Sequence, residues 1–158
     1  MALRTIRKEG DPILRKTSRE IPEITPRIKE LAQDMIETMH DAEGAGLAAP
    51  QVGVLRRMVV IDVGEGPLVM INPEIQHEEG ETIEAEGCLS IPGFAGTVRR
   101  PRKLTVSYLN LEGENASLEA EDFFAKAVCH EIDHLNGILF RDLVVEEIDL
   151  TEVEDEEL

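Results

Sequence analysis

At 158 residues with 42% hydrophobic side chains, the chain is long enough for one domain with a buried core, and its composition excludes global disorder. Aromatics make up only 3% with no tryptophan, so an aliphatic core is expected, and no apolar run approaches the ~20 residues of a membrane span. A formal net charge of −17 argues against binding nucleic acid, DNA included, because phosphate contacts need basic patches.

The charge is unevenly placed: eight acidic and no basic residues fall in 146–158, so −9 of the −17 remains on the first 145. The expectation is a single domain over 1–145 and an acidic, solvated tail over 146–158. Residues 1–10 carry charges and no apolar signal region, which points to the cytoplasm. Cys88 and Cys129 are the two cysteines. A disulfide is the plain reading, but nothing indicates an oxidising compartment; a metal-ligand role for one of them is the alternative.

Residues 11–24 mix Pro, Ser, Thr and charge with Ile13, Leu14 and Ile21, and read as an irregular arm docked through those apolar side chains. A helix follows, capped by Thr25 with Pro26 in its first turn. Ile28, Leu31, Ala32, Met35, Ile36 and Met39 keep the spacing of one buried face, and Gly44 or Gly46 is the expected stop. The stretch 44–53 is dense in small residues, which allow close backbone approach and argue against a helix. Residues 58–63 and 68–71 predict a hairpin around the Gly-Pro loop 64–67. Further strands are expected within 78–86, at 97–98, over 104–111 and over 116–120, with turns at 91–93 and 110–115. A second helix is expected over 122–136, stopped by Gly137. On it Ala125, Val128, Ile132 and Leu135 form an apolar stripe beside a second stripe of Ala127, His130, Glu131 and His134, while Lys126, Asp133 and Asn136 suit solvent. Residues 140–145 read as extended.

The second stripe contains His130-Glu131-Ile132-Asp133-His134, an HExxH pattern. Helix positions i and i+4 share a face, so both imidazoles reach one ion, and the glutamate one step round suits a general base. Catalytic sites of this type use three protein ligands and an open position. Candidates for the third are His40, His77, Cys88 and the downstream Glu146 or Glu147. Cys88 is the stronger, since a thiolate is a soft ligand and Gly87 frees the backbone beside it. Asp133 offers either a hydrogen bond to a ligand histidine or an exposed structural role.

Three stretches together, GAGLAAPQ at 44–51, EGCLS at 86–90 and HEIDH at 130–134, resemble the peptide deformylase family in order and spacing, and the similarity extends over roughly 4–145. The resemblance implies an α+β fold with antiparallel β-sheets around a central helix that carries HExxH, and a single catalytic domain over 1–145. It implies a metal-dependent hydrolase that removes the N-formyl group from N-formylmethionyl peptides and releases formate. Cys88, His130 and His134 would hold the metal, Glu131 would move the protons, and Gln51 with the backbone N–H of Leu89 would stabilise the oxyanion. Gly44, Ala45, Gly46, Leu47, Ala127 and Val128 would bind substrate. The ion implied is ferrous iron, with zinc, nickel or cobalt as substitutes, and the partners implied are nascent chains, with transient ribosome contact. Ala45 departs from the branched residue often found there in the family, which predicts looser side-chain selectivity. The acidic tail departs from the longer C-terminal helix of some members.

Overall fold

A computed structural model describes residues 2–148. In chain order these form a 3₁₀ turn at Pro12–Arg15, helix α1 at Pro26–Asp41, strand β1 at Gly46–Ala48, a 3₁₀ turn at Ala49–Val52 and β2 at Met58–Ile61. Then come β3 at Leu68–Glu79, β4 at Thr82–Cys88, β5 at Ile91–Arg100, β6 at Lys103–Leu109 and β7 at Asn115–Glu121. Helix α2 at Phe123–Leu135, a 3₁₀ turn at Phe140–Leu143 and β8 at Val144–Ile148 complete the order. The strands make two sheets, β1-β2-β3-β6-β7 and β4-β5-β8, with every pairing between them antiparallel. The fold is therefore α+β with antiparallel sheets. No described helix is long and apolar enough to cross a membrane.

Strand alternation explains how the larger sheet is covered on both faces. On β2, Val59 and Ile61 join a core with Ala125, Val128, Ile132 and Leu135 of α2, while Met58 and Val60 join a core with Leu31, Ala32, Met35 and Met39 of α1. A strand buried on both faces needs a continuous apolar run, which is what 58–61 supplies. A third core of Leu14, Ile91, Val98, Leu139 and Phe140 lies against the smaller sheet. Nine of the thirteen residues of α2 are buried, because it packs on β1, β2 and β7 of one sheet and on β5 of the other.

The ends of α1 separate expectation from outcome. Thr25 accepts a hydrogen bond from the Ile28 N–H at 3.3 Å, as its cap position predicts. The helix stops at Asp41, before either glycine, and Glu43 takes the left-handed turn at φ 57 while the Gly44 N–H returns to the Met39 carbonyl. Gly44 and Gly46 are needed for close approach instead, as the site below makes plain.

Other boundaries also moved. The 78–86 stretch is the end of β3 and most of β4, divided at Gly80 with φ 67, and β3 continues past Ile71 through an irregularity that contains Pro73. Residues 91–93 open β5 rather than forming a turn, since Cys88 pairs with Ile91 around residues 89–90. The acidic stretch begins inside the sheet: Glu146 and Glu147 of β8 pair with Thr97 and Gly96. The rest of the predicted tail, 149–158, lies outside the described residues. Lys126 and Asp133 are half-buried and partnered rather than solvated, Lys126 by the Ala85 carbonyl and Asp133 by Arg100.

Candidate metal centre and hydrolytic site

Helix α2 places the His130 and His134 rings on one face, with centroids 5.1 Å apart. Cys88, the last residue of β4, brings Sγ to 3.3 Å from His134 Nε2, and the ligand atoms of the three residues lie within 4.8 Å of one another. His40 and His77 lie elsewhere, bonded to Asp62 and Glu79, and Glu146 and Glu147 are exposed on β8. Both cysteines are free thiols. Burial raises the Cys129 thiol to about 12, so it is a protonated packing residue.

The donor set suits a cation. Burial, with His130 and Arg100 nearby, holds His134 well below the usual imidazole range and leaves it neutral, with its lone pair available. Burial works against protonating His130, yet Cys88, Glu131 and Glu86 outweigh it and hold the ring up at about 10. An imidazole held in that way sits where positive charge is favoured. Sulfur and two imidazoles are ligands for zinc or ferrous iron.

Glu86 gives His130 its orientation, with Oε1 2.9 Å from Nδ1, which leaves Nε2 for the cluster. Arg100 of β5 grips Glu86 through Nε and Nη2 at 2.9 and 3.0 Å and reaches Asp133 through Nη1 at 2.6 Å. The orienting carboxylate is thus Glu86, while Asp133 acts on Arg100. Burial pushes the Glu86 carboxyl upward, but the His130 and Arg100 hydrogen bonds outweigh it and hold it at about 2. Neither Glu86 nor Arg100 was singled out in the sequence; the available signal was an acid two residues before Cys88, on the same face of a strand.

Glu131 is buried, and burial pushes its carboxyl up to about 7, with His130 opposing the shift. Among the described residues its Oε1 has no hydrogen-bond partner, and a Cβ on Gly46 would fall 2.5 Å from its Oε2. Gly46 is therefore glycine because β1 lies directly on this carboxyl. A Cβ on Gly44 would meet Leu89 Cδ1 at 2.7 Å, so the second close approach joins the loop before β1 to the loop after β4. The Gln51 side-chain oxygen accepts from the Ala48 N–H at 2.9 Å, and its Nε2 donates to Ser90 Oγ at 3.0 Å and lies 3.7 Å from Cys88 Sγ.

A cavity of about 380 Å³ opens over these groups. Gly44, Ala45, Gly46, Gln51, Cys88, Leu89, Ala127, His130 and Glu131, all named as candidates from the sequence, line it. Leu47 and Val128 do not. Alternation along β1 turns Leu47 into the α1 core, and Val128 lies on the sheet-facing side of α2; both are fully buried. Their places are taken by Ala85, Phe123 and Lys126, unforeseen because β4 and the first turn of α2 meet only in the folded chain. The cavity lies between β1 and β4, each at an edge of its sheet.

A buried carboxyl poised near neutrality, a compact sulfur-and-imidazole donor set and a cleft between two strand edges are the components of a metal-assisted hydrolase. Comparison with known proteins narrows that class. The polypeptide deformylase profile matches residues 3–148. The peptide deformylase of Acetivibrio thermocellus is 58% identical over 154 residues, 98% of this chain and 91% of that protein. Peptide deformylase 1 of Clostridium acetobutylicum is 57% identical, covering 92% of this chain and 97% of that one. The crystal structure of the Thermotoga maritima peptide deformylase superposes with a TM-score of 0.88 at 41% identity, covering 90% of this chain and 97% of that chain. That of Synechococcus elongatus, in complex with actinonin, gives 0.87 at 40% identity and covers 96% and 84%. The chain belongs to the polypeptide deformylase family.

Proposed function

We propose that the chain through the end of β8, three residues past the expected boundary at 145, forms a single catalytic domain that removes the N-formyl group from the formylmethionine of newly made polypeptides, with Cys88, His130 and His134 holding one divalent ion. The observation that carries the reading is that Glu131 lies against Gly46 of β1 and lines the same cavity as Cys88 and His130, two of the three donors. When bound, the ion supplies polarisation of the formyl carbonyl and a lowered pKa for the attacking water.

The remaining chemistry belongs to the chain. Water adds to the formyl carbon as Glu131 takes its proton; the C–N bond then breaks, Glu131 returns the proton to the departing amine, and formate leaves. A carboxyl near 7 both accepts and donates at neutral pH. The Gln51 side-chain amide and the Leu89 N–H donate to the oxyanion, and the bond from Ala48 N–H fixes which end of the Gln51 amide is oxygen. The edges of β1 and β4 receive the peptide as an added strand, with Gly44 and Gly46 at closest approach. Ala45, Ala127 and Phe123 offer an apolar pocket for the methionine side chain. Sulfur and two imidazoles suit zinc or ferrous iron, and membership of the family points to ferrous iron as the native ion, with zinc, nickel or cobalt as substitutes. Substrates that are nascent chains imply a cytoplasmic enzyme in transient contact with the ribosome.

The test is formate release from formyl-Met-Ala alongside metal analysis. Glu131→Gln is expected to lose turnover by at least 10²-fold and keep its metal, whereas Cys88→Ser is expected to lose both. Anaerobic iron-loaded protein is expected to exceed aerobic zinc protein. Full metal content in Cys88→Ser would reject the ligand set, and equal rates for the two metal forms would reject iron as the native ion.

A further inference from the structure

The two oxyanion donors come from segments 38 residues apart, at Gln51 and Leu89, and something must set their spacing. Both segments are buried at their anchoring residues, Gln51 at 1% exposure and Ser90 at 0%. The N-terminal arm spans them. The Arg7 N–H donates to the Gln51 carbonyl at 2.6 Å, and the Glu9 N–H donates to the Ser90 carbonyl at 2.7 Å. Between them Lys8 Nζ donates to the Leu89 carbonyl at 3.0 Å. Opposite this strap, Gln51 Nε2 to Ser90 Oγ closes the second connection between the same segments.

The arm is fixed on either side of the strap. Toward the N-terminus, the Ala2 N–H bonds Asp34 and the Arg4 N–H bonds Thr38, both on α1. Beyond it, Asp11 caps the first 3₁₀ turn and Leu14 is buried in the third core. The Arg7 guanidinium also lies against Gly53, where a Cβ would meet Nη2 at 2.8 Å, so the strap follows the Gln51 turn closely.

From this closed ring of contacts we infer that residues 7–9 are a positioning element for the deformylation site: the backbone N–H groups of Arg7 and Glu9, with the Lys8 ammonium between them, hold the Gln51 and Leu89 segments at the separation the oxyanion requires. The inference rests on Gln51 and Leu89 being the oxyanion donors. A donor held loosely contributes less in the transition state than in a fixed site, so loss of the strap acts on kcat while peptide binding along the strand edges persists. Misplacement of about 1 Å costs up to 10²-fold; a loosened segment is expected to cost about tenfold.

Proline removes the N–H and alanine keeps it, so Arg7→Pro and Glu9→Pro are compared with Arg7→Ala and Glu9→Ala, at equal metal content and well below the melting temperature. The proline variants are expected to lose about tenfold in kcat with KM within twofold of wild type, and to show faster amide hydrogen exchange confined to 51–54 and 89–90. The alanine variants keep the N–H and lose only side-chain contacts, Arg7 with Asp11 and Gly53 and Glu9 with Arg141, so they are expected to lose less than about twofold in kcat, well short of the proline variants. Lys8→Met, which leaves the backbone intact, is expected to lower kcat two- to threefold, with recovery in Lys8→Arg. Gln51→Met separates the two readings. If it retains wild-type kcat, the donor assignment fails and the inference fails with it. If it loses activity while the proline variants exchange faster yet turn over normally, the donors stand and the strap is overturned. Alanine variants as impaired as the proline ones overturn it as well, as does a Lys8→Met protein that folds and matches wild type where a proline variant does not fold.

Discussion

Arg100→Met is the most incisive perturbation of the site, because it touches no proposed ligand yet removes the cation between two carboxylates. The Arg100 and Glu86 side chains are 5% and 3% exposed, and Asp133 is 22% exposed. Removing one partner of a buried ion pair costs about 3–5 kcal/mol, because the abandoned charge stays in a poorly solvating environment. At roughly 2–4 °C per kcal/mol for a domain of this size, the melting temperature should fall by about 6–20 °C. Among the described side chains Glu86 then keeps His130 alone as a partner, so the imidazole is less firmly oriented and metal affinity should drop about 10–100-fold, as is usual when a ligand's supporting contact is lost. The assays are thermal unfolding and metal transfer to a competing chelator. The pH dependence adds a signed check: Glu86 is held at about 2, below its unfolded value of about 4.3, so its stabilisation is complete above that value and disappears as pH falls toward 2. The gap between wild type and variant should close over the same window. Adding Glu86→Gln and Asp133→Asn should recover stability, because no unpaired charge remains, but should not recover metal retention. An Arg100→Met protein within 1 kcal/mol of wild type, with unchanged metal transfer, would refute the reasoning.

Gly46→Ala should lower kcat about 10²-fold at unchanged metal content, because a Cβ 2.5 Å from Glu131 Oε2 forces the base aside; normal turnover would mean that β1 yields instead. With Ala45 on the cavity wall, formyl peptides starting with norleucine, leucine or phenylalanine should react within about tenfold of formylmethionine, and Ala45→Ile should narrow that range; strict methionine preference in the wild type contradicts the wide pocket. Asp34→Asn should destabilise the N-terminal arm. Burial raises the Asp34 carboxyl, but the Ala2 N–H and Arg4 outweigh that effect and lower it on balance. Its contribution is therefore full above the unfolded value near 3.9 and lost as pH drops below it, so urea midpoints of the two proteins should differ at pH 6 and converge below about pH 4.

How much of this was legible in the sequence depends on the range over which each feature is encoded. The helix faces, the Thr25 cap, the 58–71 hairpin and the HExxH geometry are set by neighbours within four residues or by a two-residue loop, and pattern alone carries them. Leu47 and Val128 were misplaced because a motif marks a neighbourhood, whereas alternation along β1 and the sheet-facing stripe of α2 decide which of its side chains reach the cleft. Arg100 was invisible for a different reason: its partners lie 14 and 33 residues away, and a lone arginine on a strand carries no sign of which carboxylates it will meet. The 7–9 strap acts chiefly through the backbone N–H groups of Arg7 and Glu9, which every residue but proline possesses, so composition did not mark it.

The glycines show the same division within a single stretch. Density of small residues over 44–53 announces that something comes close, and two readings were open at Gly44 and Gly46: a helix stop or a close approach. The stop fell to Glu43, which tolerates φ 57 at a modest energetic cost, because both glycines were required elsewhere. Gly46 meets the carboxyl of α2 and Gly44 meets the leucine beside Cys88, so the loop leading into β1 is threaded between the proposed base and the proposed oxyanion donor. Neither position has room for a side chain, and that constraint, not a turn, accounts for both glycines.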